Sequence, residues 1–142
     1  MDKITVLLPA YNEELSIGET VRTIKNLYPD FEVLVVDDGS TDRTRDEAVA
    51  AGAHVRSHPY NIGNGAAVKT GLRHAGGDWI VMMDADGQHD PADIARLLEH
   101  RDRYDMVIGA RVRSSESAFH RDMANWIFNK LASYVTKFSV QD

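Results

Sequence analysis

The order in which apolar runs and helical patterns alternate constrains this chain more than any other feature. "KITVLLP" (3–9), "FEVLVVDDGS" (31–40), "AHVRSH" (53–58), "DWIVMMDAD" (78–86) and "YDMVIGAR" (104–111) read as strands, most of them continuous apolar runs. Such runs belong to strands covered on both faces. Between them lie helical patterns. In 16–29, Ile17, Val21, Ile24 and Tyr28 recur at helical spacing and Pro29 closes the segment. Residues 41–52 form a short helix with Asp42 as its cap and Gly52 just past its end. Residues 63–77 form a helix opened by glycines. Asp90 and Pro91 start another, whose apolar face is Ile94, Leu97 and Leu98. Residues 118–138 predict a long amphipathic helix. This alternation predicts an α/β fold: a three-layer, Rossmann-like sandwich with a mostly parallel sheet.

In open parallel sheets, ligands bind beyond the carboxyl ends of the strands. The polar clusters "PAYNEE", "VDDGSTD" and "DADGQHD" each follow a predicted strand. All three therefore converge on one edge of the sheet, which is where function is expected.

Composition narrows the classes. The 142 residues suit one compact domain, and no internal repeat or linker is visible. A net charge of −6 argues against a general nucleic-acid binder. The charge is uneven: residues 1–110 hold 11 Lys/Arg against 19 Asp/Glu, whereas 111–142 hold 5 against 3. A basic tail on an acidic body hints at an anionic partner. There are no cysteines, which excludes disulfides and thiolate chemistry and fits a cytoplasmic protein. Neither a signal peptide nor an apolar run of membrane-spanning length is visible, which leaves attachment to a membrane surface open.

Within "DADGQHD", an extended chain puts Asp84, Asp86 and Gln88 on one side. Grouped oxygen ligands suit Mg²⁺ or Mn²⁺ shared with substrate phosphates. A helix-loop-helix calcium site is excluded, because His89 and Ala95 stand where it needs Gly and Glu. His89 is open to two readings, a ligand or a surface hydrogen-bond donor. Asp90 is read as a helix cap only.

Two roles are also open to Asp38: accepting hydrogen bonds from a nucleobase, or making the turn that Asp-Gly-Ser favours anyway. "NIGNGAAVKTG" lacks the third glycine of a dinucleotide fingerprint, since Val68 stands there. Its glycines are better explained by a tight turn and close helix packing, with Lys69 as a candidate phosphate contact. Arg111 follows the fifth predicted strand on the same edge, where a guanidinium suits phosphate. The apolar stripe of residues 118–138 suits either packing within the protein or an anionic membrane.

Five segments, "LLPAYNEE" (7–14), "VVDDGSTDRT" (35–44), "NIGNGAAVKTG" (61–71), "DADGQHDP" (84–91) and "GAR" (109–111), together resemble the family-2 glycosyltransferases of GT-A fold. The similarity is greatest to the branch that transfers a sugar to a polyprenyl or dolichyl phosphate. The resemblance implies that Pro9, Tyr11, Glu13, Val36 and Asp38 hold the nucleoside. It adds Lys69, Asp84, Ala85 and Asp86 to the nucleotide-sugar site and puts the metal on Asp86 and Gln88. Asp84, Arg111 and Arg121 become the catalytic positions. Gly87 stands where many family members carry Leu.

The implied protein is an inverting, Mg²⁺- or Mn²⁺-dependent hexosyltransferase using a GDP- or UDP-linked donor. An ionised acceptor phosphate attacks without a general base, whereas a hydroxyl acceptor needs one. The Glu-Asp pair of hydroxyl-using relatives is absent after Arg111. Residues 1–111 are then the donor-binding core. Residues 112–142 are a basic amphipathic tail that begins an incomplete acceptor region. The expected place is the cytoplasm, at the cytoplasmic face of a membrane, with self-association through the tail helix. Two alternatives stand beside this: a phospho-receiver domain, from "VLVVDD" and Asp84, and a truncated nucleotide-binding module without activity.

Overall fold

The computed structural model describes residues 2–109. The chain divides into a unit over Met1–Asp102 and a second over Arg103–Asp142. In the first unit the elements are β1 (Ile4–Ala10), α1 (Ile17–Leu27), β2 (Glu32–Asp37), α2 (Thr44–Ala50), β3 (His54–Ser57), α3 (Asn64–His74), β4 (Trp79–Met82) and α4 (Asp93–Leu98). The four strands form one parallel sheet in the order β3-β2-β1-β4. The predicted α/β class holds.

Alternation along the strands explains the layers. Val6, Leu8 and Ala10 of β1 join Val33 and Val35 of β2 on one face, where they meet Ile17, Val21 and Ile24 of α1, Ala48 of α2 and Ile94 of α4. Leu7, Leu34 and Val36 point the other way and meet Ala67 of α3. Most of these side chains are wholly buried, and each such burial contributes about 1.5–3 kcal/mol. α3 lies close on β1, because Gly71 offers no side chain: a Cβ there would sit 2.2 Å from Leu7 Cδ1. The expectation that these glycines serve close packing is met at Gly71.

Three predicted elements differ. The fourth strand runs only to Met82, not Asp86, and is covered on one face: Val81 is buried, while Ile80 and Met82 are exposed. The predicted fifth strand is absent over residues 104–109. A strand exists only as a ladder, none of these residues pairs among the described residues, and Tyr104, Met106 and Ile108 are exposed. α2 and α4 start two and three residues after Asp42 and Asp90. Each aspartate instead accepts a backbone N–H two positions on, that of Thr44 and of Ala92. Arg111, Arg121 and the predicted helix 118–138 lie outside the described residues.

Candidate active site

The chain runs β1, β2, β3 outward in one direction and returns to place β4 on the other side of β1. That reversal opens a crevice between the carboxyl ends of β1 and β4. A cavity of about 360 Å³ occupies it. Pro9, Ala10, Tyr11 and Glu13 line it from the end of β1 and the turn after it. Asp38 follows β2. Asn61, Gly63, Asn64 and Ala67 come from the approach to α3 and its first turn. Asp84, Ala85 and Asp86 follow β4. The predicted convergence of polar clusters on one edge is therefore observed.

The first two clusters interlock. Asn12, at a φ of 55°, donates its backbone N–H to Ser40 Oγ and accepts from Thr41 N–H through its side chain. Glu13 N–H donates to Thr44 Oγ1, Glu14 N–H to Asp42, and Arg43 N–H to the Glu14 carboxylate. Ser16 links this assembly to the third cluster, its Oγ lying 2.8 Å from the Ala85 carbonyl and 2.9 Å from Glu13 Oε2.

Asp38 is buried and its carboxylate accepts three internal hydrogen bonds, from the N–H groups of Ile62 (3.0 Å) and Gly63 (2.7 Å) and from His58 Nδ1 (2.7 Å). Burial raises its pKa, but the bonds from His58, Ile62 and Gly63 outweigh that and hold it below the ordinary value. Asp42 behaves alike: burial raises it, and the Thr44 hydroxyl with the Thr44 and Glu14 amides brings the net shift down. Asp37, also buried, accepts the Ser40 N–H.

Asp84 and Asp86 are different. Both carboxylates are exposed and line the cavity. Asp84 Oδ2 has only His89 Nε2, at 3.4 Å, and Asp86 Oδ1 accepts the Gln88 N–H at 2.9 Å. No Lys or Arg among the described residues pairs with either. Two hard carboxylates facing one space without a cation fit a divalent ion that keeps waters or phosphate oxygens in its other positions. Among the described residues no group of three His, Cys, Asp or Glu forms a complete protein cage.

Three sequence expectations meet a different placement. Gln88 does not line the cavity, because the chain stops being extended after Met83 and bends at 85–87, with Gly87 at a φ of 75°. The alternation that put Gln88 beside Asp84 and Asp86 ends there. Val36 is wholly buried beside Pro9, its register partner, and its side chain packs in the α3 side of the core. Lys69 is exposed on α3, two positions from the cavity-lining Ala67 and so on another side of the helix. Sequence reasoning passed over Ser16, His58, Asn61 and Asn64. His58 carried a usable signal, since it follows β3 directly on the functional edge.

A doubly wound parallel sheet with acidic residues at its switch point defines a ligand-binding α/β domain. Its architecture is that of the GT-A nucleotide-sugar transferases: glucosyl-3-phosphoglycerate synthase of M. tuberculosis, solved with Mn²⁺, UDP and phosphoglyceric acid, matches with a TM-score of 0.64 and 33% identity over 73% of this chain and 40% of that one. The same enzyme solved with Mg²⁺ and UDP gives 0.63. The chain belongs to glycosyl transferase family 2, whose profile matches residues 5–141. An uncharacterised protein of Methanocaldococcus jannaschii is 36% identical over 95% of this chain and 57% of its own length. Undecaprenyl-phosphate 4-deoxy-4-formamido-L-arabinose transferase of Salmonella choleraesuis is 32% identical over 99% of this chain and 46% of its own. The chain thus spans about half the length of the curated relatives it matches. The phospho-receiver alternative finds no support in these matches, and the buried, internally bonded Asp37 and Asp38 do not suit a receiver's acidic pair.

Proposed function

We propose that this chain binds the donor of an inverting glycosyltransferase, taking a GDP- or UDP-linked sugar together with Mg²⁺ or Mn²⁺. The observation that carries this reading is the pair Asp84 and Asp86, exposed carboxylates with no Lys or Arg partner among the described residues, on the wall of the switch-point cavity. The solved relative's complexes with UDP and Mn²⁺ or Mg²⁺ support it. Asp84 and Asp86 would hold the metal, which supplies Lewis-acid stabilisation of the departing diphosphate. Pro9, Tyr11, Glu13 and the amides of Asn61 and Asn64 surround the rest of the donor. Gln88 joins the metal only if its loop turns.

For the acceptor, the Salmonella relative's undecaprenyl phosphate supports a polyprenyl phosphate. Such a phosphate is ionised at neutral pH and can attack the anomeric carbon without a general base. A polyprenyl-phosphate acceptor would bring the chain to a membrane surface. No helix among the described residues is long and apolar enough to cross one.

Calorimetry with UDP and GDP, each with and without Mn²⁺, tests the donor site. Metal-dependent binding of one of them is expected. Binding of neither sinks the reading.

A further inference from the structure

We propose that His58 is a positioning residue for the donor cavity, acting through Asp38 to set the backbone wall formed by residues 60–64. The proposal rests on the donor-site reading above.

The His58 side chain is 11% exposed and Asp38 only 3%. The imidazole lies between Asp38 Oδ1, 2.7 Å from Nδ1, and Thr70 Oγ1, 2.8 Å from Nε2. In the neutral ring, Nδ1–H donates to the carboxylate and Nε2 accepts the Thr70 hydroxyl. The same carboxylate holds the amides of Ile62 and Gly63. One buried pair therefore joins the end of β2, the segment after β3 and the body of α3.

A carboxylate has about four acceptor positions, and internal donors fill three. Asp38 fixes where the Ile62–Gly63 backbone stands, and Gly63, its neighbours Asn61 and Asn64 and Asp38 itself line the cavity. The fit is tight, because Gly39 lies against the Tyr60–Asn61 peptide, where a Cβ would approach the Tyr60 carbonyl carbon to 2.3 Å. The sheet does not depend on the imidazole. The His58 backbone N–H already bonds to the Asp37 carbonyl at 2.9 Å. Loss of the side chain loosens the wall and leaves the strands in place.

Three substitutions separate this from a packing role. Asn places an amide nitrogen where Nδ1 stands, and Gln places one where Nε2 stands. Leu fills the space and bonds to neither. Amide exchange at Ile62, Gly63 and Val6 is followed by NMR, and UDP and GDP affinity with Mn²⁺ by calorimetry. In His58→Leu, exchange at Ile62 and Gly63 accelerates while Val6 does not change. Nucleotide affinity falls about tenfold, the size of one charge-assisted hydrogen bond. His58→Gln behaves like Leu, and His58→Asn returns both readouts towards wild type. Unchanged exchange at Ile62 and Gly63 in His58→Leu overturns the proposal, and so does an Asn variant no better than Gln. If the wild type binds neither nucleotide, the donor-site reading fails, and amide exchange alone still decides whether His58 sets this wall.

Discussion

"VDDGSTD" and "DADGQHD" are near twins in composition, each with three aspartates in seven residues at the carboxyl end of a parallel strand. The fold uses them in opposite ways. In the first, Asp37, Asp38 and Asp42 all turn inward and accept backbone or side-chain donors. In the second, Asp84 and Asp86 remain exposed on a cavity wall with most of their acceptor capacity unused. A carboxylate whose acceptor positions are filled by its own protein builds structure. One left exposed with few internal donors keeps its acceptor positions open to water or a ligand. Acidity alone does not distinguish the two; the count of internal donors does.

Asp38→Ala breaks the first cluster most severely. It strands two backbone N–H groups and His58 in a buried place, so a loss of about 3–5 kcal/mol is expected, as when a buried charged network loses one partner. Urea unfolding followed by circular dichroism measures it. Asp86→Ala in the second cluster should leave the urea midpoint unchanged and weaken metal-dependent nucleotide binding at least about tenfold. A variant pair with the reverse pattern, stable without Asp38 and unstable without Asp86, would erase the contrast.

Acid sharpens the same comparison. The folded-state pKa values of Asp38 and Asp42 lie below their ordinary values, so the unfolded chain takes up protons first as pH falls. The stabilisation is fully present above the unfolded pKa of about 3.9 and is lost as pH drops through the lower folded values. Glu32 adds to this at the other end of the sheet: burial raises its pKa, while bonds from Thr5, Gly76 and His54 bring the net shift down. Thermal melts between pH 6 and the acid limit should show that loss. Asp38→Asn, which cannot titrate, should show a shallower acid decline than the wild type.

Much of this was legible in the sequence because β1 and β2 are buried on both faces and therefore read as unbroken apolar runs. Parallel connectivity then forced the three polar clusters to one edge. The division of labour between the clusters was not legible, because it depends on partners distant along the chain. Asp38 is held by His58, 20 positions away, and by amides 24 and 25 positions away. The backbone around Gln88 departs from the extended geometry for a local reason. Strand alternation was carried past Met83, where the Asp86 carboxylate captures the Gln88 amide and a turn replaces the strand. Val36 was assigned by resemblance to the nucleoside, and its side chain is wholly buried in the core.

The smallest effect tests whether the exposed loop has a shape of its own. Gly87 sits at a φ of 75°, a conformation costly to any residue with a Cβ. Space is no obstacle, since the nearest atom to an added Cβ is Ser16 Cβ at 3.8 Å, an ordinary contact. Gly87→Ala therefore carries only the backbone term, about 1 kcal/mol, and Gly87→Asn less. The family resemblance brings Leu to this position in many relatives, which makes Gly87→Leu the informative third variant. If Leu costs as much as Ala, the bend at 85–87 is an intrinsic feature of this chain and Gln88 stays outside the cavity. If Leu costs nothing and tightens metal-dependent nucleotide binding, the loop has a second conformation that brings Gln88 to the metal. The second cluster is then acidic and adjustable, where the first is acidic and fixed.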